Sequence, residues 1–455
     1  MKQTSLPLAS LSSWSHFNQV RLLGASVEPH IVAPDGTDKG GGLLATADHG
    51  PGASLLAVPL ELLLSKERVE HYAKEDKSFK ELIEAVPSLF QTPRAAVLLF
   101  LAWQMTINNP EAAHHGLGLQ NPFADYLKFL PKKILLPTFY TSEERDLLVG
   151  TSLFDALDQK STSLEREFNN LKEATETIPW IQRVWWDDES GCLDMEDWKL
   201  ADAIYRSRAL DLPRGTGIGM VPVVDMANHA SDDRFNARFE VDEIHEHVLL
   251  VVRDNKSIQQ GEEITIMYGV GGACEMIFSY GFIDEHATSA REVFLNLTIP
   301  SDDPLRRAKI RFAQEAPGVR LYVDDQNEVK WESTFVWWAC VNQEDGLDFR
   351  VEQLVTGDTE LKAVWNDQDL PANALHSTLL NHRLYDLFLL RAIVTIQQRV
   401  EEQGMRMAES QDGFEALVPD NVLIRTSVHE TIGKLRSLEM DLLSRAYETL
   451  EIQVT

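Results

Sequence analysis

The sequence predicts an α+β protein with short strands on either side of a long helical segment and a mainly helical C-terminal region. Residues 61–210 place apolar side chains mostly at helical spacing, and from residue 219 the pattern changes to the alternation of strands. The last part of the chain returns to helical spacing. With 455 residues, the chain has room for two or three domains and a sizeable core.

The N-terminal region is predicted to hold a leader and a hairpin. Residues 1–25 are typical of a leader with one short amphipathic piece. Residues 43–46 and 54–59 are apolar and β-prone, and the glycines and proline of residues 48–52 favour turns between them. We therefore expect these two strands to pair as a hairpin.

The middle segment carries two clear helix starts. Pro93 suits the first position of a helix, which residues 94–105 continue as a buried helix. Its apolar run is shorter than the roughly 18 residues that span a bilayer, so we expect no membrane partner. Thr141 or Ser142, followed by an acidic pair, favours a second start.

The following region is predicted to form strands joined by turns. Residues 198–210 form a last helix before it. The predicted strands are residues 221–224, 235–241, 248–252, 264–267 and 292–299, with a hairpin turn at 245–247 and a helical turn at 275–280.

Two apolar stripes predict the C-terminal helices. The first contains Leu380, Leu384 and Leu387 and continues to Ile393 or Val394. The second consists of Val428, Ile432, Leu435, Leu442, Ala446 and Leu450. Residues 403–413 are the expected connection, and residues 305–345 have no dominant pattern.

The composition restricts the partners. A formal net charge of −29 repels nucleic-acid phosphates and would attract a basic protein, although it also serves solubility alone. The three cysteines are far apart and form no Cys-x-x-Cys pair, so neither a zinc cluster nor a disulfide framework is indicated. The N-terminus lacks the pattern of a secretory signal, and cytoplasm or nucleus is expected.

The first cluster of candidate site residues follows an apolar segment. Asp225, Asn228 and His229 offer a carboxylate, an amide and an imidazole close together. Because an asparagine amide donates and accepts at once, this set suits a zwitterion or a purine edge. From the residues alone, a polar loop with a purely structural role is as well supported as a ligand site. A metal site is less favoured, since no third ligand follows at useful spacing.

Tyr268 ends the second apolar segment, directly before Gly269. A tyrosine at a strand end can be a packing residue, or it can orient an amine in transfer chemistry. Both interpretations stay open from the residues alone. We expect Glu262 and Glu263, in the turn that precedes this strand, to be solvated and not catalytic.

Two glycine runs are candidates for ligand-binding loops. Gly40-Gly-Gly42 would let the backbone approach a ligand closely, although a glycine triplet is weak evidence. Gly215-Thr-Gly-Ile-Gly219 does not match Gly-x-Gly-x-x-Gly and leads into a strand, so a dinucleotide site is rejected.

Four segments, in order, resemble the SET-domain methyltransferases, and more narrowly the branch typified by Rubisco large-subunit methyltransferase. They are Gly40-Gly-Gly-Leu-Leu-Ala-Thr46, Asp225-Met-Ala-Asn-His229, Gly261-Glu-Glu-Ile-Thr-Ile-Met-Tyr-Gly269 and Tyr280-Gly-Phe282. The features that resemble this branch alone are Tyr126-Leu-x-x-Leu-Pro131, Pro137-Thr-Phe-Tyr140 and the Ser207-Arg208 pair.

The resemblance implies a β-rich SET core at residues 26–285, split by a helical insertion at about residues 61–210. Residues 1–25 would precede it as a leader, and residues 286–455 would form a helical domain similar to the substrate-binding domain of the branch. The implied methyl donor is S-adenosyl-L-methionine.

The resemblance also implies roles for particular residues. In the family, such residues bind the cofactor, align the acceptor amine or line the side-chain channel. The implied residues are Gly40, Gly41, Arg208, Asp225, Asn228 and His229 for the cofactor, Tyr268 for catalysis, and Tyr280 and Phe282 for the channel. No metal is implied. The sequence departs from the family pattern at Lys39, Gly41 and residues 270–275.

The predicted function is therefore S-adenosyl-L-methionine-dependent methylation of a lysine in a basic, non-histone protein. Methylation of histidine by the same fold is an open alternative. A catalytically silent SET scaffold that binds proteins is another, and the glycine-rich residues 270–275 favour it mildly.

Overall fold

Helices and strands both contribute to the fold. In this computed structural model, the structure describes residues 1–454 except 3, 33–35, 37, 113–115, 214, 314–316, 354–358 and 372. Across these described residues, no helix is both long enough and apolar enough to cross a membrane.

The strands are short. They are β1 (Arg21–Leu22), β2 (Ala25–Glu28), β3 (Gly42–Ala45), β4 (Ser54–Pro59), β5 (Ala209–Leu212), β6 (Gly217–Met220), β7 (Asn228–His229), β8 (Ala237–Asp242), β9 (His247–Val252), β10 (Glu263–Ile266), β11 (Glu292–Asn296), β12 (Gly318–Val323), β13 (Val329–Glu332), β14 (Leu347–Gln353), β15 (Thr359–Trp365) and β16 (Gln368–Leu370).

The helices range from single turns to more than twenty residues. They are α1 (Leu11–Phe17), α2 (Lys66–Glu75), α3 (Lys77–Ala85), α4 (Pro93–Asn108), α5 (Pro122–Tyr126), α6 (Ser142–Asp146), α7 (Ser152–Thr175), α8 (Pro179–Ile181), α9 (Met195–Arg208), α10 (Ala273–Tyr280), α11 (Arg306–Phe312), α12 (Phe335–Cys340), α13 (Leu375–Leu380), α14 (Tyr385–Glu409), α15 (Gln411–Ala416) and α16 (Thr426–Val454).

The chain forms two compact units. The first contains residues 1–139, 158–270 and 279–284, and the second contains residues 140–157, 271–278 and 285–455. The domain boundaries expected from the sequence, at residues 25 and 285, stay predictions. Within the first unit, Leu11 and Trp14 of the N-terminal segment are buried in the core.

Two four-stranded sheets build the β part of the first unit. Their orders are β1-β4-β9-β8 and β2-β3-β10-β7, and β5 pairs with β6. The predicted hairpin of β3 and β4 is therefore wrong, because the two strands lie in different sheets. Instead, β3 pairs with β2 and β10, and β4 pairs with β1 and β9.

The predicted strand at residues 221–224 is also wrong. The strand before it is β6, and Val224–Met226 form one turn of 3₁₀ helix. Val223 has a φ of 71°, which is unusual for a β-branched residue and interrupts an extended backbone. The segment is nevertheless fully buried, as its apolar composition indicates.

Helices α4 and α6 begin where their local sequence signals predict. The side chain of Thr92 caps α4, Pro93 is its first residue, and residues 95–106 are all buried. Thr141 and Glu144 form a capping box at the start of α6. These predictions are confirmed because caps and apolar runs act within one or two helical turns.

The second unit combines two three-stranded antiparallel sheets with helices. The sheets are β11-β12-β13 and β14-β15-β16, and the long helices α14 and α16 pack together. The predicted stripe of α16 is confirmed, because all six of its residues are buried. The second sheet had no counterpart in the prediction.

The first predicted C-terminal stripe is wrong in its first half. Leu380, at the end of α13, is 50% exposed, and Leu384 and Leu387 are 41% and 40% exposed. The core of α14 is formed instead by Phe388, Ala392 and Ile396. Leucines occur on both faces of this helix, so spacing alone selected the wrong one. The predicted connection at residues 403–413 is wrong as well, since α14 continues to Glu409.

Candidate active site

A short parallel pairing of β7 with β10 organises the site. Thr265 lies opposite Asn228, and Ile266 lies opposite His229. The Asn-His pair thus lies beside the end of the strand that leads into Tyr268. The two polar clusters predicted from the sequence are brought together by this register.

His229 and Tyr268 are joined directly. The backbone N–H of Tyr268 donates to Nδ1 of His229 at 3.1 Å. An amide can only donate, so Nδ1 carries no proton and the neutral ring has its proton on Nε2. This bond fixes both the tautomer and the plane of the imidazole beside Tyr268.

The Tyr268 hydroxyl is held by the backbone that precedes the Asn-His pair. It donates to the carbonyl of Ala227 at 2.9 Å. Burial raises the pKa of Tyr268 above the ordinary tyrosine value, and Arg208 opposes that shift. The hydroxyl is therefore neutral at physiological pH, and its oxygen keeps lone pairs with which it can accept a hydrogen bond.

Aromatic rings surround Tyr268. Its ring lies 4.6 Å from that of Tyr280 and 5.2 Å from His229, and Phe282 lies 6.0 Å from His229. The hydroxyl of Tyr280 donates to the Tyr268 carbonyl at 3.2 Å. The faces of aromatic rings stabilise a nearby cation, so this cluster suits an ammonium or sulfonium group.

Gly281 allows this aromatic arrangement. Its φ is 85°, and a Cβ atom there would lie 2.2 Å from the carbonyl oxygen of Leu135. No other residue fits both constraints, because the neighbouring atom is backbone. The glycine therefore sets the directions of Tyr280 and Phe282 on either side of it.

Arg208 and Asp225 form a buried ionic pair next to the site. Arg208 Nη1 donates to the Asp225 carbonyl at 2.9 Å and lies 3.6 Å from Oδ2 of its carboxylate. Burial raises the pKa of Asp225, whereas the charge of Arg208 lowers it. Arg208 Nε is buried and has no hydrogen-bond partner among the described residues.

Tyr126, the last residue of α5, connects that helix to the Asp225 loop. Its buried hydroxyl donates to Oδ1 of Asp225 and accepts the backbone N–H of Val223, the latter at 3.0 Å. The sequence motif around Tyr126 was recognised, but no role was predicted for this residue. Its bonds stabilise the strained backbone at Val223.

The glycine run approaches Asn228 through its third member. A Cβ atom at Gly42 would lie 2.8 Å from Nδ2 of Asn228. Gly40 has a φ of 78° and open space where a Cβ would be, and a Cβ at Gly41 would lie 3.0 Å from Leu8. The close approach to another site residue is thus made by Gly42, which was not predicted individually.

The expectation of solvated glutamates holds for Glu262 and is wrong for Glu263. Glu262 is exposed, whereas the side chain of Glu263 is only 19% exposed. Its carboxylate accepts from Asn228 Nδ2 at 2.9 Å and pairs with Lys39 Nζ at 3.2 Å. Strand alternation offered a signal, since Glu263 lies on the same face as the buried Thr265.

Two further polar residues were not predicted. Asn236 is buried and uses its side chain to bond the backbone of β10, at Glu263 and Thr265. Asp284 accepts from the backbone N–H of Ser231 at 3.2 Å and from Arg234 at 2.9 Å. These contacts fasten the segments that follow His229 and Phe282.

The family model that describes the SET domain matches residues 40–269, just over half of the chain. The chain belongs to the SET-domain family. The prediction of a SET fold is thereby confirmed, and the matched range begins at Gly40 and ends directly after Tyr268.

Several curated relatives share this SET region. SET domain-containing protein 8 of Schizosaccharomyces pombe is 28% identical, and the match covers 69% of this chain and 68% of that protein. N-lysine methyltransferase setd6 of Xenopus tropicalis is 23% identical, with 64% and 60% covered. The chloroplastic Rubisco large-subunit N-methyltransferase of Nicotiana tabacum is 23% identical, with 82% and 70% covered.

Solved structures of a SET-domain protein are similar along nearly the whole chain. Rubisco LSMT bound to AdoMet has a TM-score of 0.64 at 18% identity, covering 99% of this chain and 92% of that one. The SET domain of LSMT bound to methyllysine and AdoHcy has a TM-score of 0.65 at 16% identity, covering 99% and 93%. At these identities the likeness shows the fold.

Proposed function

We propose that this SET-domain protein is a protein-lysine N-methyltransferase that uses S-adenosyl-L-methionine. The observation that carries the proposal is the Tyr268 hydroxyl. It is neutral and tied to the Ala227 carbonyl, and its ring lies beside those of His229 and Tyr280. The names of two relatives, N-lysine methyltransferase setd6 and a fructose-bisphosphate aldolase-lysine N-methyltransferase, support the same activity.

The residues fit the proposed cofactor. Arg208 has a buried Nε without a hydrogen-bond partner among the described residues, which suits a carboxylate ligand. Gly40 leaves open space where a side chain would be, and Gly42, two residues later, closely approaches Asn228. Asn228 and His229 would hold the amino-acid and adenosine groups. Asp225 supports this loop through Arg208 and Tyr126. When bound, S-adenosyl-L-methionine supplies an electrophilic methyl group on a cationic sulfur.

Tyr268 would position the acceptor amine. Because its hydroxyl donates to Ala227, its oxygen lone pairs can accept an amine N–H. That hydrogen bond turns the nitrogen lone pair in a fixed direction, and orientation of this kind supplies much of the rate in such reactions. Tyr280 and Phe282 would exclude water around the aliphatic part of the lysine.

The amine must be neutral to act as a nucleophile. A free lysine has a pKa of about 10.4. Desolvation between aromatic rings and a nearby cation both lower that pKa, so the proton leaves to water before the amine reacts. Tyr268 is not the base in this scheme, since burial keeps its own hydroxyl protonated.

We also propose that the substrate is basic and that the protein acts in the cytoplasm or nucleus. The net charge of −29 favours a cationic protein and disfavours nucleic acid. Three relatives are named as chloroplastic, so a fluorescent fusion of the full chain is the appropriate test of location.

The activity is tested in two steps. Titration calorimetry first measures binding of S-adenosyl-L-methionine. Transfer of a labelled methyl group into a cell extract, followed by mass spectrometry of the modified peptide, then identifies the acceptor. A methylated lysine is the expected result.

Other outcomes separate the alternatives. Label on histidine would assign the enzyme to histidine methylation. Cofactor binding without transfer to any protein would favour a silent scaffold, and an absence of binding would contradict the proposed cofactor site.

A further inference from the structure

Glu263 is not among the residues proposed to contact the cofactor or the acceptor amine, yet it is bound to one of them. It is the first residue of β10, and both of its carboxylate oxygens are engaged. Oε1 accepts from Asn228 Nδ2 at 2.9 Å, and Oε2 lies 3.2 Å from Lys39 Nζ. Its neighbour Glu262 is exposed, and among the described residues its carboxylate accepts only the backbone N–H of Gln259.

These contacts determine which way the Asn228 amide faces. An ionised carboxylate accepts hydrogen bonds and cannot donate, so the Asn228 atom next to it must be the nitrogen. Gly42 adds a steric limit, because even a Cβ there would lie 2.8 Å from Nδ2. With Nδ2 held on this side, the amide presents its oxygen Oδ1 on the other side.

We propose that Glu263 is a positioning residue that makes Asn228 a hydrogen-bond acceptor for the ammonium group at the amino-acid end of the cofactor. This inference rests on the proposed function. A carboxamide free to rotate would present its nitrogen part of the time, and a cationic ammonium cannot accept a hydrogen bond from it. Glu263 removes that unproductive orientation.

Lys39 has a smaller part in this arrangement. Its side chain is 36% exposed, and exposed ion pairs contribute little to stability and weaken with salt. It restrains the second oxygen of Glu263 and balances its charge. We therefore expect Lys39→Gln to change cofactor affinity by no more than about threefold, and less at high salt.

Two related nucleosides test the proposal. S-adenosyl-L-homocysteine carries the amino-acid end, whereas 5′-methylthioadenosine has the same adenosine and sulfur without it. For Glu263→Ala we expect the Kd of the first ligand to rise about tenfold and that of the second to change less than about twofold. Glu263→Gln keeps an acceptor oxygen and should stay within about threefold of the unmodified protein.

Glu262→Ala is the matched control, and the unliganded melting temperature of each variant reports on folding. If Glu263→Ala weakens the binding of both nucleosides equally, Glu263 has a general structural role and the proposal is overturned. Unchanged binding of both nucleosides would also overturn it. If the unmodified protein binds neither nucleoside, the proposed function itself fails.

A charge exchange covers the case in which Glu263→Ala does not fold. Asn228→Asp alone places two carboxylates together and should weaken the binding of S-adenosyl-L-homocysteine. Adding Glu263→Gln restores an amide donor against a carboxylate acceptor, so the double variant should recover binding. A double variant no better than Asn228→Asp contradicts the assigned orientation.

Discussion

The imidazole Nδ1 of His229 accepts the backbone N–H of Tyr268 at 3.1 Å. Thirty-nine residues separate the two in the chain. This bond connects the loop proposed to hold the cofactor with the residue proposed to align the acceptor. A shift of either segment is therefore transmitted to the other.

Replacement of Tyr268 by phenylalanine should separate binding from turnover. The ring and its packing remain, so the Kd of S-adenosyl-L-methionine should change little. The acceptor amine loses its hydrogen-bond partner, and we expect methyl transfer to fall about a hundredfold or more. Calorimetry and labelled transfer measure the two quantities, and unchanged turnover would remove Tyr268 from its proposed role.

Tyr126→Phe should destabilise the protein and weaken cofactor binding together. It leaves the buried Asp225 carboxylate and the Val223 N–H without the Tyr126 hydroxyl. Loss of such bonds costs about 1–3 kcal/mol in the free energy of unfolding. Urea denaturation checks the first effect and calorimetry with S-adenosyl-L-homocysteine the second. Wild-type values for both would show that these bonds are dispensable.

Gly281→Ala tests the backbone between the two channel aromatics. The positive φ and the contact with Leu135 should together cost about 2–5 kcal/mol in unfolding free energy. We expect methyl transfer to fall as well, because Tyr280 and Phe282 move. Gly50→Ala is the control, since a Cβ there meets nothing within 4 Å. Similar denaturation curves for the two variants would contradict the steric account.

Glu439 predicts a pH dependence of stability in the second unit. Burial raises its pKa from 4.5 to about 7, although Ser152 donates to its carboxylate through both N–H and hydroxyl. The pKa of Glu439 is higher in the folded state than in the unfolded state. Its contribution to the free energy of unfolding is therefore complete below pH 4.5 and is lost as the pH rises to about 7.

Relative to Glu439→Gln, the wild-type protein should therefore lose about 3 kcal/mol of unfolding free energy between these pH values. Denaturation at several pH values measures the difference. Glu430→Gln, at an exposed position of the same helix, controls for the loss of a charge. Parallel stability curves for wild type and Glu439→Gln would rule out titration of Glu439 in this range.

Much of the local structure could be predicted. The cap at Thr141, the proline at the start of α4 and the strand at residues 54–59 all depend on neighbours within a few positions. The predictions failed where a distant partner decides the outcome. Residues 221–224 look like a strand by composition, yet the backbone turns at Val223.

The sequence alone determined which residues can carry the chemistry. Asn228, His229, Tyr268 and Tyr280 are recognisable from residue type, order and the family resemblance. It also determined the positions of several elements, among them α4, α9, β4 and β9, because propensity and apolar spacing are local properties.

Only the tertiary structure decided how these groups are held. The pairing of Glu263 with Asn228, the bonds of Tyr126 to the Asp225 loop and the contact of Gly281 with Leu135 join residues far apart in the chain. The spacing of residues along the chain cannot predict such contacts. They form when separate elements pack and their buried polar groups need hydrogen-bond partners.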